Sequence, residues 1–471
     1  MLFSSTVFVY LFLPCVILIY YLLKKWRFLQ NVFLLIASLI FYAWGEPKFV
    51  VVLIASIVMN WGLGYVIERC RRKRILIKWI LIIDICLNIS LLFVFKYLSF
   101  AGHLFQGITG IKTGIPKIAL PIGISFFTFQ AMSYVIDVYR QKAEVQKNLL
   151  YVGLYISFFP QLIAGPIVRY ETIANEIKNR KETVDDFFDG FARFVVGLSK
   201  KVLLANGFAV LADQVFGAVQ SGRAISVLFG WLGAVAYSLQ IFFDFSGYSD
   251  MAIGMGRMFG FHFGENFDYP YISTSITEFW RRWHISLGSW FRDYVYIPLG
   301  GSRCSRRRTV FNLLIVWSLT GIWHGANLTF LVWGLMFFVL LTVEKVTGLS
   351  KPVKGIRCVL MWLYQAFFVV IGWVVFRSDS LHEAYVHIKI MFGLSGSGLC
   401  DGAFSGWLSQ NSVLFIVGIL LCTPVFKLLF ERTKEMLFFK LIRPVVLCVL
   451  FVLCMASIVS NSYNPFIYFN F

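Results

Sequence analysis

The decisive stretch of this chain opens with Glu278-Phe279-Trp280-Arg281-Arg282-Trp283-His284 and closes with Thr320-Gly321-Ile322-Trp323-His324-Gly325-Ala326-Asn327. It holds two of only six histidines in 471 residues, and each of the two follows a tryptophan. A histidine at membrane depth is costly to keep there and is therefore a candidate functional group. The alternatives are a buried histidine that bonds a backbone carbonyl, or an aromatic cluster at the membrane interface.

Composition places the whole chain in a membrane. Hydrophobic residues make up 59% of it and charged residues 14%, whereas a soluble domain carries about 25% charged residues. Each crossing of a bilayer needs ~20 mostly apolar residues. We therefore predict an all-α polytopic membrane protein with about ten or eleven spans plus re-entrant and interfacial pieces. We predict one integral membrane domain over residues 1–471, with core motifs at 150–330 and an aromatic tail at 461–471.

Charge and cysteine content narrow the range of partners. The net charge of +19 is typical of cytoplasmic loops that meet anionic lipid headgroups, so we predict the lipid bilayer as a partner and no nucleic acid. An anionic substrate that enters from the cytoplasm is the alternative use of these charges. The nine cysteines form no CxxC pair, which predicts neither a metal site nor a set of disulfides.

Basic residues in short loops orient the predicted spans. The first apolar segment is followed, not preceded, by basic residues, which predicts an uncleaved span with the N-terminus outside. The basic loops at 69–74 and 303–308 are predicted to be cytoplasmic and the C-terminus outside. Spans are predicted at residues 6–23, 28–44, 49–67, 75–98, 118–138, 227–245, 310–324, 328–343, 359–376, 413–429 and 445–458, and a further apolar run surrounds Ala209.

Two stretches depart from a simple span. Residues 149–168 contain Pro160, Gly165 and Pro166 in a short apolar run that basic residues flank on both sides. Proline breaks a helix, and non-helical backbone at membrane depth survives only inside protein or beside an aqueous cavity. We expect a re-entrant segment, or two half-helices, that lines a funnel open to the cytoplasm. Residues 179–201 are amphipathic, which predicts a helix lying in the cytoplasmic interface.

The histidines are the main candidates for chemistry, because the usual soluble catalytic and nucleotide-binding signatures do not occur in the sequence. A neutral imidazole at His324 can take a proton from a hydroxyl as that hydroxyl attacks an activated carbonyl. A desolvated site disfavours the charged imidazole and keeps the base competent near neutral pH. Asn327 could orient this ring or hold a carbonyl, and Gly325 would let backbone or substrate approach closely.

The second histidine, His284, is predicted to lie on the cytoplasmic side of the membrane. Arg281 and Arg282 lie beside it in the sequence, and guanidinium groups suit phosphate recognition. The alternative is that this group anchors the chain to lipid headgroups.

The aromatic run at residues 463–471 has two interpretations. It is an aromatic belt at the outer interface, which is ordinary for membrane proteins. In the sharper interpretation Tyr468 is a phenol near the outer mouth of a tunnel, able to take an acyl group and pass it on.

Five motifs resemble the membrane-bound O-acyltransferase (MBOAT) superfamily and, within it, the bacterial alginate O-acetylation branch. The opening residues 3–5 and the segment 464–469 are similar to that branch too, so the resemblance covers nearly the whole chain in order. The motifs are Phe158-Phe159-Pro160-Gln161-Leu162-Ile163-Ala164-Gly165-Pro166, Phe242-Phe243-Asp244-Phe245-Ser246-Gly247-Tyr248-Ser249-Asp250, Phe279-Trp280-Arg281-Arg282-Trp283-His284-Ile285-Ser286-Leu287, Phe291-Arg292-Asp293-Tyr294-Val295-Tyr296-Ile297-Pro298-Leu299-Gly300-Gly301 and Trp323-His324-Gly325.

The resemblance implies a fold and an activity. Members form a ring of helices around a thin centre, where a cytoplasmic and an outer funnel meet at a narrow tunnel. In the acetylating branch the donor is acetyl-CoA, which reacts from the cytoplasm as a substrate and not as a bound cofactor. The acetyl group leaves outside, where a separate extracytoplasmic O-acetyltransferase places it on a polysaccharide hydroxyl. The location implied is the bacterial cytoplasmic membrane.

The resemblance also implies roles for particular residues. The invariant tunnel histidine of the family matches His324, and a second histidine on the cytoplasmic side matches His284. A partner peptide of the related D-alanylation system ends in an aromatic motif whose tyrosine can carry the acyl group, and the segment around Tyr468 is similar to that motif. We also predict substrate contacts at Trp323, Asn327, Arg281 and Arg282.

Two other functions remain compatible with these observations. One is the same kind of acyl transfer with a different acyl group, D-alanine from a carrier protein, as in teichoic acid D-alanylation. The other is a transporter or channel that exports a polyanion, with the histidines as gating groups. A transporter would leave acetyl-CoA intact, which separates it from a transferase.

Overall fold

A computed structural model of the chain describes residues 1–112, 114–116, 118–351, 354–460 and 463–467. Helices are the only regular secondary structure in these ranges, and the predicted all-α fold is confirmed. The chain divides into two compact units. Unit 1 comprises residues 1–194 and 248–264, and unit 2 comprises residues 195–247 and 265–471.

The first twelve α-helices run to residue 258. Short π-helical segments at Phe8–Phe12, Phe93–Tyr97 and Lys200–Ala205 precede or join some of them. The helices are α1 (Leu13–Leu22), α2 (Arg27–Gly45), α3 (Val50–Arg69), α4 (Arg74–Leu92), α5 (Leu98–Thr109), α6 (Ile124–Tyr139), α7 (Leu149–Ser157), α8 (Phe159–Leu162), α9 (Tyr170–Asn179), α10 (Val184–Ser199), α11 (Asn206–Gln220) and α12 (Val227–Met258).

The other nine α-helices follow a polar stretch that contains one 3-10 turn at Pro270–Ile272. A π-helical segment at Arg292–Tyr296 lies between the second and third of them. These helices are α13 (Ile276–Arg282), α14 (Ile285–Phe291), α15 (Arg306–His324), α16 (Leu328–Thr347), α17 (Ile356–Arg377), α18 (Leu381–Met391), α19 (Gly402–Leu421), α20 (Val425–Thr433) and α21 (Leu437–Ser460).

Nine helices within the described residues are long and apolar enough to cross a membrane, and the apolar helix Phe8–Leu22 is shorter. The predicted spans at 118–138 and 310–324 form helices that are either too short or not apolar enough to be counted among these nine. The helix α6 has only 16 residues, and α15 starts with three arginines. The nine are Arg27–Gly45, Val50–Arg69, Arg74–Thr109, Val184–Gln220, Val227–Met258, Leu328–Thr347, Ile356–Arg377, Gly402–Leu421 and Phe438–Ser460.

Two predicted boundaries were wrong. The amphipathic stretch 179–201 does not end as a separate interfacial helix, because α10 continues through π-helical turns into α11 as one helix of 37 residues. The predicted span at 413–429 lies too far along the chain. The span ends at Leu421, a Thr423-Pro424 step follows, and α20 is a separate helix. Proline ends helices in this way because it lacks an amide donor and clashes with the preceding turn.

Unit 1 buries the stretch that was predicted to be re-entrant. It forms the two short helices α7 and α8, which a break at Phe158 separates. Phe158 and Phe159 are 1% and 0% exposed, and the Phe159 amide donates to the Ser38 hydroxyl at 3.1 Å. The predicted break into two short helical pieces is therefore confirmed, and protein side chains surround it. The re-entrant course and the funnel open to the cytoplasm stay predictions.

Unit 2 is built around the close packing of α15 and α16. A Cβ atom on Gly321 would lie 2.5 Å from the Phe330 carbonyl oxygen, and one on Gly334 would collide with the Trp317 carbonyl oxygen. Such distances are too short for real side chains, so both glycines are needed for the approach of the two backbones. Since His324 is the last residue of α15, this packing decides where its ring lies.

Candidate functional site

His324 ends α15, and in the turn that follows both polar atoms of the Asn327 side chain are hydrogen-bonded within the protein. The Asn327 side-chain oxygen caps α16 by accepting from the Thr329 amide at 3.1 Å, and its amide nitrogen donates to the Asp379 carbonyl at 2.7 Å. The space beside Gly325 is filled by the Phe330 ring. In this structure Asn327 therefore holds the turn together, and the close approach at Gly325 is made by protein.

The His324 ring lies in an aromatic pocket and is 6% exposed. Its centroid is 5.0 Å from the Trp323 ring, 5.0 Å from the Trp333 ring and 5.2 Å from the Phe376 ring. These neighbours come from α15, α16 and α17. Aromatic rings on several sides exclude water from the imidazole.

The His284 side chain is held in one tautomer by Asn266. Asn266 Oδ1 accepts from the Ser286 amide at 3.1 Å and from its hydroxyl at 2.9 Å, so the oxygen of this amide faces His284. His284 Nδ1 lies 3.1 Å from the same oxygen and donates to it. Its Nε2 is then the nitrogen with the lone pair, which can accept a proton.

Burial excludes the headgroup-anchor interpretation of His284. The residue is 2% exposed, and its ring centroid is 4.6 Å from the Phe245 ring. Burial lowers the pKa of the His284 imidazole to about 3, because a charged ring loses its hydration there. His284 also has a left-handed backbone, with φ of 46°, a strained conformation for a non-glycine residue that is frequent at functional sites.

Trp323 joins the two histidines into one cluster. Its ring centroid is 6.2 Å from the His284 ring and 5.0 Å from the His324 ring. The two Trp-His pairs of the sequence therefore meet in unit 2, and both histidine rings lie near the Trp323 indole.

The two arginines before His284 differ in their surroundings. Arg282 pairs with Glu278 at 2.9 Å and lies 3.5 Å from an Asp268 carboxylate oxygen. Arg281 is exposed. Of the two predicted phosphate contacts, Arg281 is thus the more accessible, while Arg282 ties α13 to the loop that precedes it.

Glu344 is a buried residue that the sequence analysis missed. It lies near the end of α16 and is 0% exposed. Its carboxylate accepts from the Ile276 amide at 2.6 Å and from the Thr277 amide and hydroxyl at 2.8 and 2.6 Å. A carboxylate at a helix N-terminus satisfies donors that have no partner within the helix. Glu344 therefore orients α13, and the only sequence signal was an acidic residue at the end of an apolar run.

Part of the predicted aromatic tail is docked inside unit 2. Phe466 and Ile467 are 5% and 7% exposed, so these two side chains do not form a lipid-facing belt. The Ile467 amide donates to Asp244 at 2.9 Å. Tyr468 itself lies outside the described residues.

The comparisons with known proteins match the part of the chain that holds this site. The sequence profile of the membrane-bound O-acyltransferase family (MBOAT) matches residues 125–379, which include both histidines. A probable alginate O-acetylase of Pseudomonas syringae pv. tomato is 43% identical over 440 residues, which cover 90% of this chain and 80% of that protein. The resemblance inferred from the motifs is confirmed.

Two further relatives align over the whole of this chain. A probable alginate O-acetylase of Pseudomonas putida is 38% identical, and the alignment covers 100% of both chains. The peptidoglycan O-acetyltransferase of Helicobacter pylori is 32% identical, and the alignment covers 100% of this chain and 98% of that protein. The similarity therefore includes the segments on both sides of the matched profile.

Proposed function

The chain belongs to the membrane-bound O-acyltransferase family, and from that membership we propose that it moves an acetyl group from cytoplasmic acetyl-CoA to an acceptor outside, for O-acetylation of a polysaccharide. It is an acyltransferase and a multi-pass membrane protein. The observation that carries the proposal is the meeting of His284 and His324 at Trp323. Relatives that O-acetylate alginate and peptidoglycan support a polysaccharide as the final acceptor.

His324 acts as the general base in this reaction. Its imidazole takes the proton of the acceptor hydroxyl while the hydroxyl oxygen forms a C–O bond to the acetyl carbonyl carbon. The C–S bond of the thioester breaks, and its electron pair leaves with the sulfur of CoA. The imidazolium then returns the proton to that thiolate, so the products are an acetyl ester and free CoA.

The cytoplasmic side of the site receives the donor. Arg281 is exposed on α13 and binds the phosphates of CoA, with Arg282 as a weaker contact because of its ion pairs. His284, neutral and fixed in one tautomer, accepts a hydrogen bond or a proton at Nε2. Trp323, whose ring is near both histidine rings, flanks the path of the thioester.

On the outer side Tyr468 relays the acetyl group. Its phenol accepts the group as an ester, and a separate extracytoplasmic O-acetyltransferase transfers it to the polysaccharide. The docking of residues 463–467 in the unit that holds both histidines supports this role. The protein acts in the bacterial cytoplasmic membrane, with the basic loop at 303–308 inside and Tyr468 outside.

Substitution of His324 tests the proposal. His324→Ala and His324→Gln remove the base, and a general base contributes ~10²–10⁴-fold to a rate. We expect both variants to lose about 100-fold or more in polysaccharide acetylation and in acetyl-CoA consumption by the purified protein. His382→Ala, at an exposed histidine of α18, is the matched control and should retain wild-type rates.

Two outcomes would contradict the proposal. Normal acetylation by a His324→Ala protein that reaches the membrane at normal levels would remove His324 from the role of base. Acetyl-CoA that stays intact with active wild-type protein and its acceptor would exclude the transferase and favour a transporter.

A further inference from the structure

A charged pair buried in unit 2 takes no part in the chemistry described above. Lys201 Nζ lies 2.8 Å from Asp244 Oδ1, and both side chains are 2% exposed. Lys201 belongs to the π-helical turns between α10 and α11, and Asp244 belongs to α12. Burial of two charges carries a large desolvation penalty, which is offset only when further hydrogen bonds satisfy the remaining lone pairs and protons.

Those further hydrogen bonds go to the backbone of residues 463–467. Asp244 Oδ2 accepts from the Ile467 amide at 2.9 Å, and the Lys201 ammonium donates to the Pro465 carbonyl oxygen. Both contacts are made to main-chain groups two residues apart. The pair therefore binds peptide backbone, with a donor for the Pro465 carbonyl and an acceptor for the Ile467 amide.

Side-chain contacts hold the beginning of the same segment. The Tyr463 hydroxyl donates to the Asp213 carboxylate, and Asn206 Nδ2 lies 3.4 Å from Asn464 Oδ1. With Phe466 and Ile467 buried as described above, protein contacts follow the segment along its whole described length.

One end of the segment is anchored beside the neighbours of His324. Asp213, which accepts from Tyr463, also pairs with Arg377 at 2.7 Å. Arg377 directly follows Phe376, whose ring centroid is 5.2 Å from the His324 ring. The contacts of Tyr463 thus lead to the wall of the pocket that holds the base.

The other end is anchored beside the neighbours of His284. Asp244, which accepts from Ile467, directly precedes Phe245 on α12. The Phe245 ring centroid is 4.6 Å from the His284 ring. The segment therefore joins structure that contacts one histidine to structure that contacts the other.

We infer that Lys201 and Asp244 form a docking site for peptide backbone, that its occupant is the segment 463–467 of this chain, and that the two residues position this segment for acyl transfer. The catalytic consequence rests on the proposed function, because Ile467 directly precedes the proposed relay Tyr468. In this scheme neither residue touches the reacting atoms. Loss of the dock lowers the turnover of acetyl transfer to the acceptor and leaves the KM for acetyl-CoA unchanged.

A double substitution tests the dock without leaving a charge buried alone. In Lys201→Met/Asp244→Leu both charges are replaced by apolar side chains of similar size, an exchange that often leaves a fold stable. Lys201→Met/Asp244→Asn is the matched control, because Asn keeps an oxygen for the Ile467 amide. Hydrogen–deuterium exchange on the full-length protein measures protection of residues 463–467, with α3 (Val50–Arg69), which contains neither substituted residue, as internal reference.

We expect the Met/Leu variant to exchange at residues 463–467 at least tenfold faster than wild type, with the reference helix unchanged. Its turnover should fall at least tenfold at an unchanged KM for acetyl-CoA. The Met/Asn variant should lie between it and wild type in both measurements. Unchanged protection in the Met/Leu variant would overturn the docking site, and a released segment with wild-type turnover would overturn the positioning role.

The proposed function and the dock fail in different ways. Exchange protection does not depend on any reaction, so it reports the dock even if the protein never consumes acetyl-CoA. Conversely, a wild-type protein that transfers acetyl through His324 at full rate, with no protection at residues 463–467, would overturn only the dock.

Discussion

At the scale of single residues, the chemistry of His284 depends on a neighbour that cannot ionise. A neutral amide at Asn266 selects the tautomer with a proton on Nδ1, and it adds no charge that would stabilise an imidazolium. Burial then dominates and holds the pKa of His284 at about 3. The ring therefore stays neutral throughout the physiological pH range, with Nε2 able to accept a proton.

Replacing Asn266 with Asp should change the pH dependence of the reaction. Asp keeps the oxygen that accepts from Nδ1 but places a negative charge beside the ring, which raises the pKa of an imidazole by about 1–3 units. Because the proposed reaction uses neutral His284, transfer should fall as the pH drops through this raised pKa. The pH–rate profile of acetyl transfer should therefore lose activity at a higher pH in Asn266→Asp than in wild type.

The control for this prediction is Asn266→Ala, which removes the acceptor of Nδ1 without adding charge. It should lower the rate at every pH and leave the acidic limb of the profile where it is in wild type. An Asn266→Asp profile that coincides with the wild-type profile would mean that protonation of His284 does not limit the reaction.

At the scale of elements, the site depends on how closely α15 and α16 approach. His324 ends α15 and Trp333 lies on α16, so the aromatic pocket changes if the helices move apart. Gly321 and Gly334 face the backbone of the opposite helix with no room for a methyl group. Cores are packed at the density of organic crystals, so even one added methyl group forces a shift.

Replacing Gly334 with Ala should therefore damage both stability and activity. The new methyl group collides with the Trp317 carbonyl oxygen, and overpacking of this kind costs about 1–3 kcal/mol. We expect a lower midpoint of thermal unfolding in detergent and slower acetyl transfer. The matched control is Gly406→Ala on α19, where no atom lies within 4 Å of the added Cβ. A neutral Gly334→Ala variant would show that the helix pair is not tightly constrained.

At the scale of the whole molecule, two buried imidazoles couple stability to pH. Burial lowers the pKa of His284 to about 3 and that of His387 to about 4. His387 Nε2 lies 3.2 Å from the Gly230 carbonyl oxygen and donates to it. In the unfolded chain both rings titrate near pH 6.5. Between these values the unfolded state binds more protons than the folded state, so stability falls as the pH falls.

Acidification from about pH 7 to 5 should therefore destabilise the protein. Each of the two histidines lowers the free energy of unfolding by about 2 kcal/mol between pH 7 and pH 5. Glutamates with a lowered pKa, such as Glu278, reduce stability mainly below about pH 4.5. Thermal unfolding in detergent at both pH values measures the effect. His387→Gln should lose roughly half of the pH-dependent change, because one of the two rings is gone. Equal changes in both proteins would contradict a neutral, buried His387.

Several features could be predicted from local sequence. The apolar composition indicated an all-α membrane protein, and the prolines of residues 149–168 indicated two half-helices. The sequence motifs, including the Trp-His pairs, indicated the family. Helix ends were less accurate, as the span that ends at Leu421 shows. There the apolar run continues past Thr423-Pro424, so hydropathy alone does not show that one helix ends and another begins at this point.

The sequence by itself determined which segments are apolar, which break, and which side chains are able to react, because those properties belong to short stretches of chain. Only the tertiary structure decided that Trp323 joins His284 to His324, that Glu344 caps a helix 68 positions earlier, and that Asp244 binds an amide 223 positions later. Such partners are set by the close packing of helices that are distant in sequence. A buried polar group must find its hydrogen-bond partner within that packing, since no water is there to replace it.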